Sequence, residues 1–595
     1  MRLLLLGLTG AEPAFAAWEQ WLVRAGVPHD AIACKDLGRP LRFADGPESA
    51  MPGAARYQAL IVSDSGLLAV ALEPEERAAL RRLERELGLR RLTAYAYPGP
   101  EHGLQTARWS GPLDEVEPTL TGAGREVFPY LRSRLPVDPG SWAYLAQPAP
   151  GEGFETLVAG PDGAALLGIH RQPDGREEMV QTFDANPTQV HGLLLCRGQL
   201  AWLTRGTYLG YERHYLSVQV DDVLLANHSW SVGAHRSDRD PAARVRMSAA
   251  DAVRGGRWAR SRRLRLDLSC NGGGSVSQVA VEGEDPLLEA LLAQEDAFGW
   301  INHTFAHADI DQLDRGEIED EIARNVRWAD AAGVQLEPAT LVTGAHTGLA
   351  NLAADPPRPE NADLPGALRA QHIRFLACDA SLPYPSADGG APLEPGTPFF
   401  VGTALAVPRH PTVLPHDAVT PSQVLDRLRS EGEPGVGPIL SFDQVVENEA
   451  RRLLSSAVAN DPRPHYFHQS NLIGGGEEAP GIVYTLLDAV LERYRAHIAD
   501  DVELLQPTLG QVGRLLLRLE AWRAAERRGS VEIHREPDAV VIENHSPASI
   551  ELPLTGTSVG ERYGAPRSGW LRAAPGVTRI ALKQPALAAS ASGRG

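Results

Sequence analysis

The alternation of apolar and polar positions is the first signal in this chain. In Tyr215-Leu-Ser-Val-Gln-Val-Asp221-Asp222 a run of alternating, β-branched character leads straight into two adjacent carboxylates. That is the pattern of a buried strand delivering Asp221 and Asp222 to its C-terminal end. Further strands are predicted at Leu264–Cys270, up to Ile301, at Leu341-Val-Thr343, at Phe375–Cys378, at Val401–Val407 and at His465–His468. The segments between them show helical spacing, as with Ile318, Ile322, Val326 and Ala329. About seven such strand–helix units between 211 and 530 predict a distorted (β/α)7 barrel, whose active site gathers at the C-terminal strand ends.

The flanking regions carry other periods. Strands at Arg2–Leu8, Ala59–Ser63 and Leu92–Tyr97 alternate with helices at Pro13–Gly26 and Pro74–Leu87. This predicts an open α/β domain over 1–210. From about 111 to 187 the segments shorten and Pro and Gly multiply, which reads as a β-rich insertion. Val190–Leu203 then reads as a helix packing back onto the first domain. The turn Gly7-Leu-Thr-Gly10 is not a dinucleotide fingerprint. Ser63-Asp-Ser65-Gly66 reads as a turn, since a nucleophile elbow's glycine pattern and cysteine are absent. Met1–Ala16 can be weighed as a short signal peptide. Its single Arg and short apolar core favour a first strand and helix instead, so no export signal is expected and a cytoplasmic location is the default expectation. Past 530, Val531-Glu-Ile-His and Ala539-Val-Val-Ile-Glu alternate again, predicting a small antiparallel β module over 531–595 with a flexible Ala-, Ser- and Gly-rich tail.

Composition narrows the function classes. The 595 residues are 43% hydrophobic and 22% charged, ordinary values for a multidomain globular chain. A net charge of −19, with Lys35 and Lys583 the only lysines, argues against a nucleic-acid surface. Cys34, Cys196, Cys270 and Cys378 form no CxxC pair and read as buried thiols. No apolar run reaches the length of an integral membrane span.

The chemistry concentrates at the predicted strand ends. Asn302-His303-Thr-Phe-Ala-His307 places two histidines four positions apart. Either motif alone has an ordinary explanation, a turn or cap for Asp-Asp and a surface or core pair for HxxxH. In this order, each at a strand end, they point to one carboxylate and two imidazoles, Asp222, His303 and His307, holding a divalent metal with room for water. Asp221 then stands as general base. Asn271-Gly-Gly-Gly274-Ser275 lacks the P-loop Lys and reads as a strand-to-helix turn facing the pocket.

Val220-Asp-Asp222 and Asn302-His-Thr-Phe-Ala-His307 resemble the first two motifs of the NodB-type polysaccharide deacetylases, and Tyr466-Phe467-His468 resembles their late Leu-x-His motif. With its preceding domains the chain is more similar to the fungal galactosaminogalactan deacetylase group than to small chitin deacetylases. The resemblance implies a metal-dependent hydrolase, commonly with zinc, that removes N-acetyl groups from N-acetylhexosamine residues of a polysaccharide or oligosaccharide. It implies Asp221 as base, Asp222, His303 and His307 as ligands, and His468 as general acid, preferred over His465. Asp379 is the candidate carboxylate that orients His468. The family's Arg-x-x-Pro motif is missing, and Thr343-Gly-Ala-His346-Thr-Gly348 stands in its place. Arg409 and Arg374 are candidate replacements that spacing does not separate. His346 and Arg409 are also assigned to substrate binding, with a loop cap as the other reading of His346. For residues 1–210 the resemblance is to a degenerate class I glutamine-amidotransferase-like domain, non-catalytic or glycan-binding. Two competing readings are a glycan-binding scaffold with a decayed site, motivated by the missing motif, and a glycoside hydrolase using paired carboxylates.

Overall fold

The protein is described from a computed structural model over residues 1–36, 41–43, 55–114, 116–431, 441–474 and 481–582. Its centre is a ring of seven parallel strands: β1 (Val218–Val223), β2 (Leu266–Cys270), β3 (Phe298–Asn302), β4 (Leu336–Leu341), β5 (Phe375–Asp379), β6 (Ala404–Pro411) and β7 (His465–His468). The order is β5-β4-β3-β2-β1-β7-β6, and β6 returns to β5 from Phe375↔Leu405 to Asp379↔Arg409, closing the barrel. The barrel expected from the sequence is therefore present. One strand differs. The predicted Val401–Val407 is a hairpin, Phe399–Val401 against β6, turning at Gly402 with φ +60°. β6 then runs past Val407, where the sequence reading ended, and carries Arg409 within the strand.

Period-two alternation sorts the strand residues into two sets. Ile301, Phe375, Ala377, Leu405 and Val407 form one interior cluster. Their neighbours Val218, Val220, Leu266, Leu268, Phe298, Trp300 and Phe467 pack outward with the helices. The interior positions change character along the strands. Phe375–Ala377 leads to Asp379, Leu405–Val407 leads to Arg409, and Gln219 leads to Asp221. The lower interior is therefore oily and the upper interior charged, which is where a site belongs in such a barrel. Helix Leu509–Arg527 packs across the lower interior, with Leu509 and Val512 in the same cluster. A Cβ at Gly513 would lie 2.2 Å from the Phe375 ring, so only glycine allows this approach.

In the N-terminal region the strands run 29–33, 3–7, 59–62, 90–93 and 177–181, all parallel, followed by antiparallel 165–171, 154–159 and 119–120. The Leu3–Gly7 run is buried on both faces: Leu3 and Leu5 meet helices Pro13–Ala25 and Val190–Leu203, and Leu4 and Leu6 meet helix Pro74–Glu86. The stretch read as an insertion is not set apart, since four of its strands extend this same sheet. Among the described residues of this stretch, only the ribbon Trp109–Pro112/Trp142–Leu145 forms its own pair.

Two small sheets make the C-terminal module, and Tyr208–Leu209 joins one of them from before the barrel. The predicted flexible tail falls on 583–595, outside the described residues. Cys34, Cys270 and Cys378 are buried and Cys196 is partly exposed. No helix among the described residues is long and apolar enough to cross a membrane.

The regions share one core, in which Leu454, Val458, Tyr494 and Tyr563 pack with the N-terminal helices. His214 sits in this seam between Tyr494 and Tyr563, its Nδ1 3.0 Å from the Tyr494 hydroxyl. Burial, reinforced by Arg197, pulls its pKa from 6.5 down to about 3. Between those values the unfolded chain binds a proton that the folded one does not. Stability contributed here is present above the unfolded pKa and is lost as pH falls from about 6.5 towards 3. His214→Phe, which keeps the ring packing, is expected to flatten that part of the profile in urea unfolding at stepped pH; a slope parallel to that of the parent would contradict this.

Candidate active site

Both carboxylates of the Asp-Asp pair reach one cavity because β1 ends irregularly. Its register against β2 slips between Val220 and Val223, and Asp222 adopts φ +64°. This bulge breaks the alternation that would have sent Asp222 outward. The Asp222 Oδ1 lies 3.3 Å from His303 Nε2 and 3.1 Å from His307 Nε2, and Asn227 donates to its Oδ2 at 2.8 Å. His303 lies 2.9 Å by Nδ1 from the Val342 carbonyl. With a cation in place, donating the Nδ1 proton there would leave the Nε2 lone pair to face the ion. Two imidazole nitrogens converging on one carboxylate oxygen, with the far side of His303 anchored, form a donor set suited to a divalent cation. Burial alone would raise the Asp222 carboxyl, but hydrogen bonds from the two histidines outweigh it and hold it well below the usual range.

The two histidines lie on a loop after β3, held by buried asparagines. Asn302 Oδ1 accepts from Thr304 N at 3.0 Å and Asn325 Nδ2 at 2.8 Å, while Asn271 donates to the carbonyls of His303 and Thr304. Thr304 and His307 both take positive φ, 62° and 57°. Such backbone is costly for residues with a Cβ, and here the asparagine network over-determines it. Gly273 N donates to the Phe305 carbonyl of this loop, and a Cβ on Gly274 would meet the Leu224 carbonyl at 2.2 Å. The glycine run thus serves close packing beneath the loops and does not line the cavity, correcting its reading as a turn facing the pocket.

Asp221 is buried and bound through both oxygens by Arg409, at 2.9 and 2.8 Å. Burial pushes the Asp221 carboxyl up, and the Arg409 charge and hydrogen bonds more than reverse this, holding it well below the carboxylate range. Arg409 is fully buried, so its assignment to substrate binding is corrected: its guanidinium is spent on Asp221 and stays away from the cavity surface. It also donates to His346 Nε2 at 2.9 Å and lies 4.5 Å from the Tyr466 ring centre. Burial first and Arg409 second pull His346 down to about 3, so it serves as a neutral acceptor for the guanidinium. A Cβ at Gly344, preceding it, would lie 2.7 Å from the His307 ring. Arg374, the other candidate, sits at the opposite end of β5 with its guanidinium near Phe375.

His468 stands opposite Asp221 in register on β7 and lines the cavity, about 400 Å³, together with Asp221, Asp222, His303, His307 and His346. His465 is buried elsewhere, its ring centre 5.1 Å from that of His410 and tilted by 30°. Burial lowers the His468 pKa, with Asp222 and Asp221 opposing the shift. Asp379 also lines the cavity but does not orient His468. Its Oδ1 accepts from Ser381 N and Oγ at 2.7 Å each, and its Oδ2 accepts from the Tyr466 hydroxyl at 2.9 Å. Sequence reasoning gave no role to Tyr466, which stands at the first position of the late motif, and missed Asn227 and His416, which reach the site from outside any motif. The one available signal for Tyr466 is its inward phase, two residues from His468 on the same strand.

No protein-family model matches the chain, and no curated protein matches it. Among solved structures, the crystal structure of Agd3, described as a novel carbohydrate deacetylase, aligns with TM-score 0.79 and 16% identity, covering 98% of this chain and 99% of that one. At that identity the likeness establishes a shared fold along nearly the whole chain. A family 4 carbohydrate esterase from Streptomyces lividans, in complex with acetate, aligns over 48% of this chain and 89% of its own at 9% identity, with TM-score 0.23. The Bc1960 peptidoglycan N-acetylglucosamine deacetylase covers 50% and 89% at 9% identity and TM-score 0.24. Scores that low carry no argument.

The ion pair gives a direct test. Arg409→Gln leaves the Asp221 charge buried without its counter-ion and is expected to cost about 3–5 kcal/mol, read from the urea midpoint. Arg409→Lys is expected to recover only part of this, because one ammonium cannot reproduce the two-pronged contact.

Proposed function

We propose that this chain is a metal-dependent hydrolase that removes N-acetyl groups from N-acetylhexosamine residues of a polysaccharide. The observation that carries the reading is the meeting, in one cavity, of a carboxylate facing two imidazole nitrogens (Asp222, His303, His307), a second carboxylate held by a buried guanidinium (Asp221, Arg409), and a third imidazole beside it (His468). The description of Agd3 as a carbohydrate deacetylase, with its fold shared along the chain, supports the same reading.

A divalent cation, zinc by the chemistry of one carboxylate and two imidazoles, would be held by Asp222, His303 and His307 and would supply Lewis-acid polarisation of the amide carbonyl and a more acidic water. The chain's own groups do the rest. Asp221, kept ionised by Arg409, accepts a proton from the attacking water. Its two oxygens are fixed by the guanidinium, so it cannot swing away. Arg409 is fixed in turn by His346 and by the Tyr466 ring, whose hydroxyl is anchored on Asp379. His468 hands its proton to the departing nitrogen. A glycosidase reading would need one of the two carboxylates protonated as an acid. The partners of both stabilise the ionised form, which favours the deacetylase.

Asp222→Ala and His303→Ala are each expected to lose zinc, measured as metal per chain. Asp221→Asn is expected to keep zinc and lose turnover by about 10²–10⁴-fold, the usual size of an acid–base contribution. Acetate release from penta-N-acetylchitopentaose or an N-acetylgalactosamine oligomer should vanish with chelator and return with zinc. Shortened chains without acetate, or activity indifferent to chelation, would overturn the reading.

A further inference from the structure

The proposed reaction leaves His468 with a proton to recover after every turnover, and the structure puts a second imidazole beside it. His416, in the loop after β6, lines the same cavity but is solvent-exposed, whereas His468 is half-buried. Their ring centres are 5.6 Å apart, at 62°.

The spacing of the two rings is set by buried backbone contacts. Asn471, fully buried, accepts from the His468 N–H at 3.1 Å and donates at 2.9 Å to the carbonyls of Pro415 and, again, Ala418, which bracket His416. The Ser470 hydroxyl, equally buried, donates to the His416 carbonyl. The loop bearing the outer histidine is thereby pinned to the segment bearing the inner one. Meanwhile Asp379, the carboxylate that could have charged His468, is engaged by Ser381 and Tyr466.

We propose that His416 is a proton relay, passing protons from solvent to His468 and acting through it without touching the acetamido group. The proposal rests on the deacetylase reading. In the forward reaction water forms the new C–O bond and gives one proton to Asp221. The C–N bond breaks as His468 protonates the nitrogen. The enzyme is left with one proton too many on Asp221 and one too few on His468. Asp221 returns its proton to solvent, His468 takes one from His416, and His416 takes one from water or a buffer acid, so that the cycle closes with no net change. Imidazole suits this work because its pKa lies near neutrality.

The test compares full-length zinc enzyme with His416→Ala and His416→Gln in dilute, weakly basic buffer. Acetate release from penta-N-acetylchitopentaose and from an N-acetylgalactosamine oligomer is followed as imidazole is added. His416→Ala is expected to lower kcat about tenfold and keep KM within about twofold, a smaller loss than removal of a direct acid. Zinc content and unfolding midpoint should match the parent. Added imidazole should restore its kcat while leaving the parent's unchanged, a response that a purely structural role does not produce. Because His416 is exposed, both variants are expected to fold, and His416→Gln serves if the alanine variant does not. Equal kcat in all three proteins at every imidazole concentration overturns the relay, as does a loss that imidazole never restores or one confined to KM. If the parent itself releases no acetate from either probe, the deacetylase reading fails and the relay falls with it. An active parent with unaffected variants fails the relay alone.

Discussion

A carboxylate inside a barrel has to be answered by a positive charge, and the Asp221–Arg409 pair meets that requirement. Removing both ions from water carries a penalty of several kcal/mol each, recovered only when geometry is good and the remaining hydrogen-bonding capacity is used. Here the geometry is two-pronged, and the guanidinium also donates to Gln219 and His346, with Nε left without a partner among the described residues. The pair joins β1 to β6, and Arg409 stands in register with Asp379 on β5, where the ring closes. Closing the barrel and poising the carboxylate are therefore one constraint: a shift of β6 by one residue would turn Arg409 outward and strand Asp221.

From that pair the polar layer spreads sideways. Arg409 holds His346, Tyr466 covers the guanidinium, and Asp379 anchors Tyr466. On the other side, Asp222 gathers His303 and His307. Positive φ at Asp222, Leu224, Thr304, His307, Ala345 and His346 concentrates around this one cavity. Backbone of this kind costs on the order of 1–3 kcal/mol per residue unless its surroundings enforce it. The asparagines behind the His303–His307 loop and the tight approach at Gly344 are the enforcing contacts.

The remainder of the chain steadies this layer from a distance. Helix Leu509–Arg527 packs under the oily half of the barrel at Leu509 and Val512, then buries Trp522 in the C-terminal module. Trp522 Nε1 donates to the Gly26 carbonyl, tying that helix to the N-terminal region as well. Tyr208–Leu209, ahead of the barrel, completes a sheet of the module that follows it. The three regions are interleaved through contacts of this kind rather than strung along the chain.

Local pattern was enough to determine much of this. The barrel strands, the helices at 13–25 and 190–203, the Asp-Asp strand end and the His303/His307 motif follow from alternation, helical spacing and residue chemistry, because those signals lie within a few residues of one another. His468 was separable from His465 by the late motif together with strand phase, since the two lie three residues apart on one strand. Partners brought together by closure of the ring were beyond reach. Arg409 is 188 positions from Asp221. The sequence reading ended its strand at Val407, so its inward phase was lost: it stood beside Arg374 as a candidate for the missing Arg, unseparated by spacing, and was also assigned to substrate. Asp379 has the correct phase and the wrong neighbour, since only the packed barrel shows that Tyr466 takes its oxygen first. Residues 111–187 have the composition of an insertion, and pairing with the Arg90–Thr93 strand is what makes them part of the sheet. Composition and periodicity thus determined which residues could do chemistry and on which face of each element they lie. Which charge answers which was decided by the closed ring, because in a low-dielectric interior a side chain's role follows from whatever partner closure places beside it.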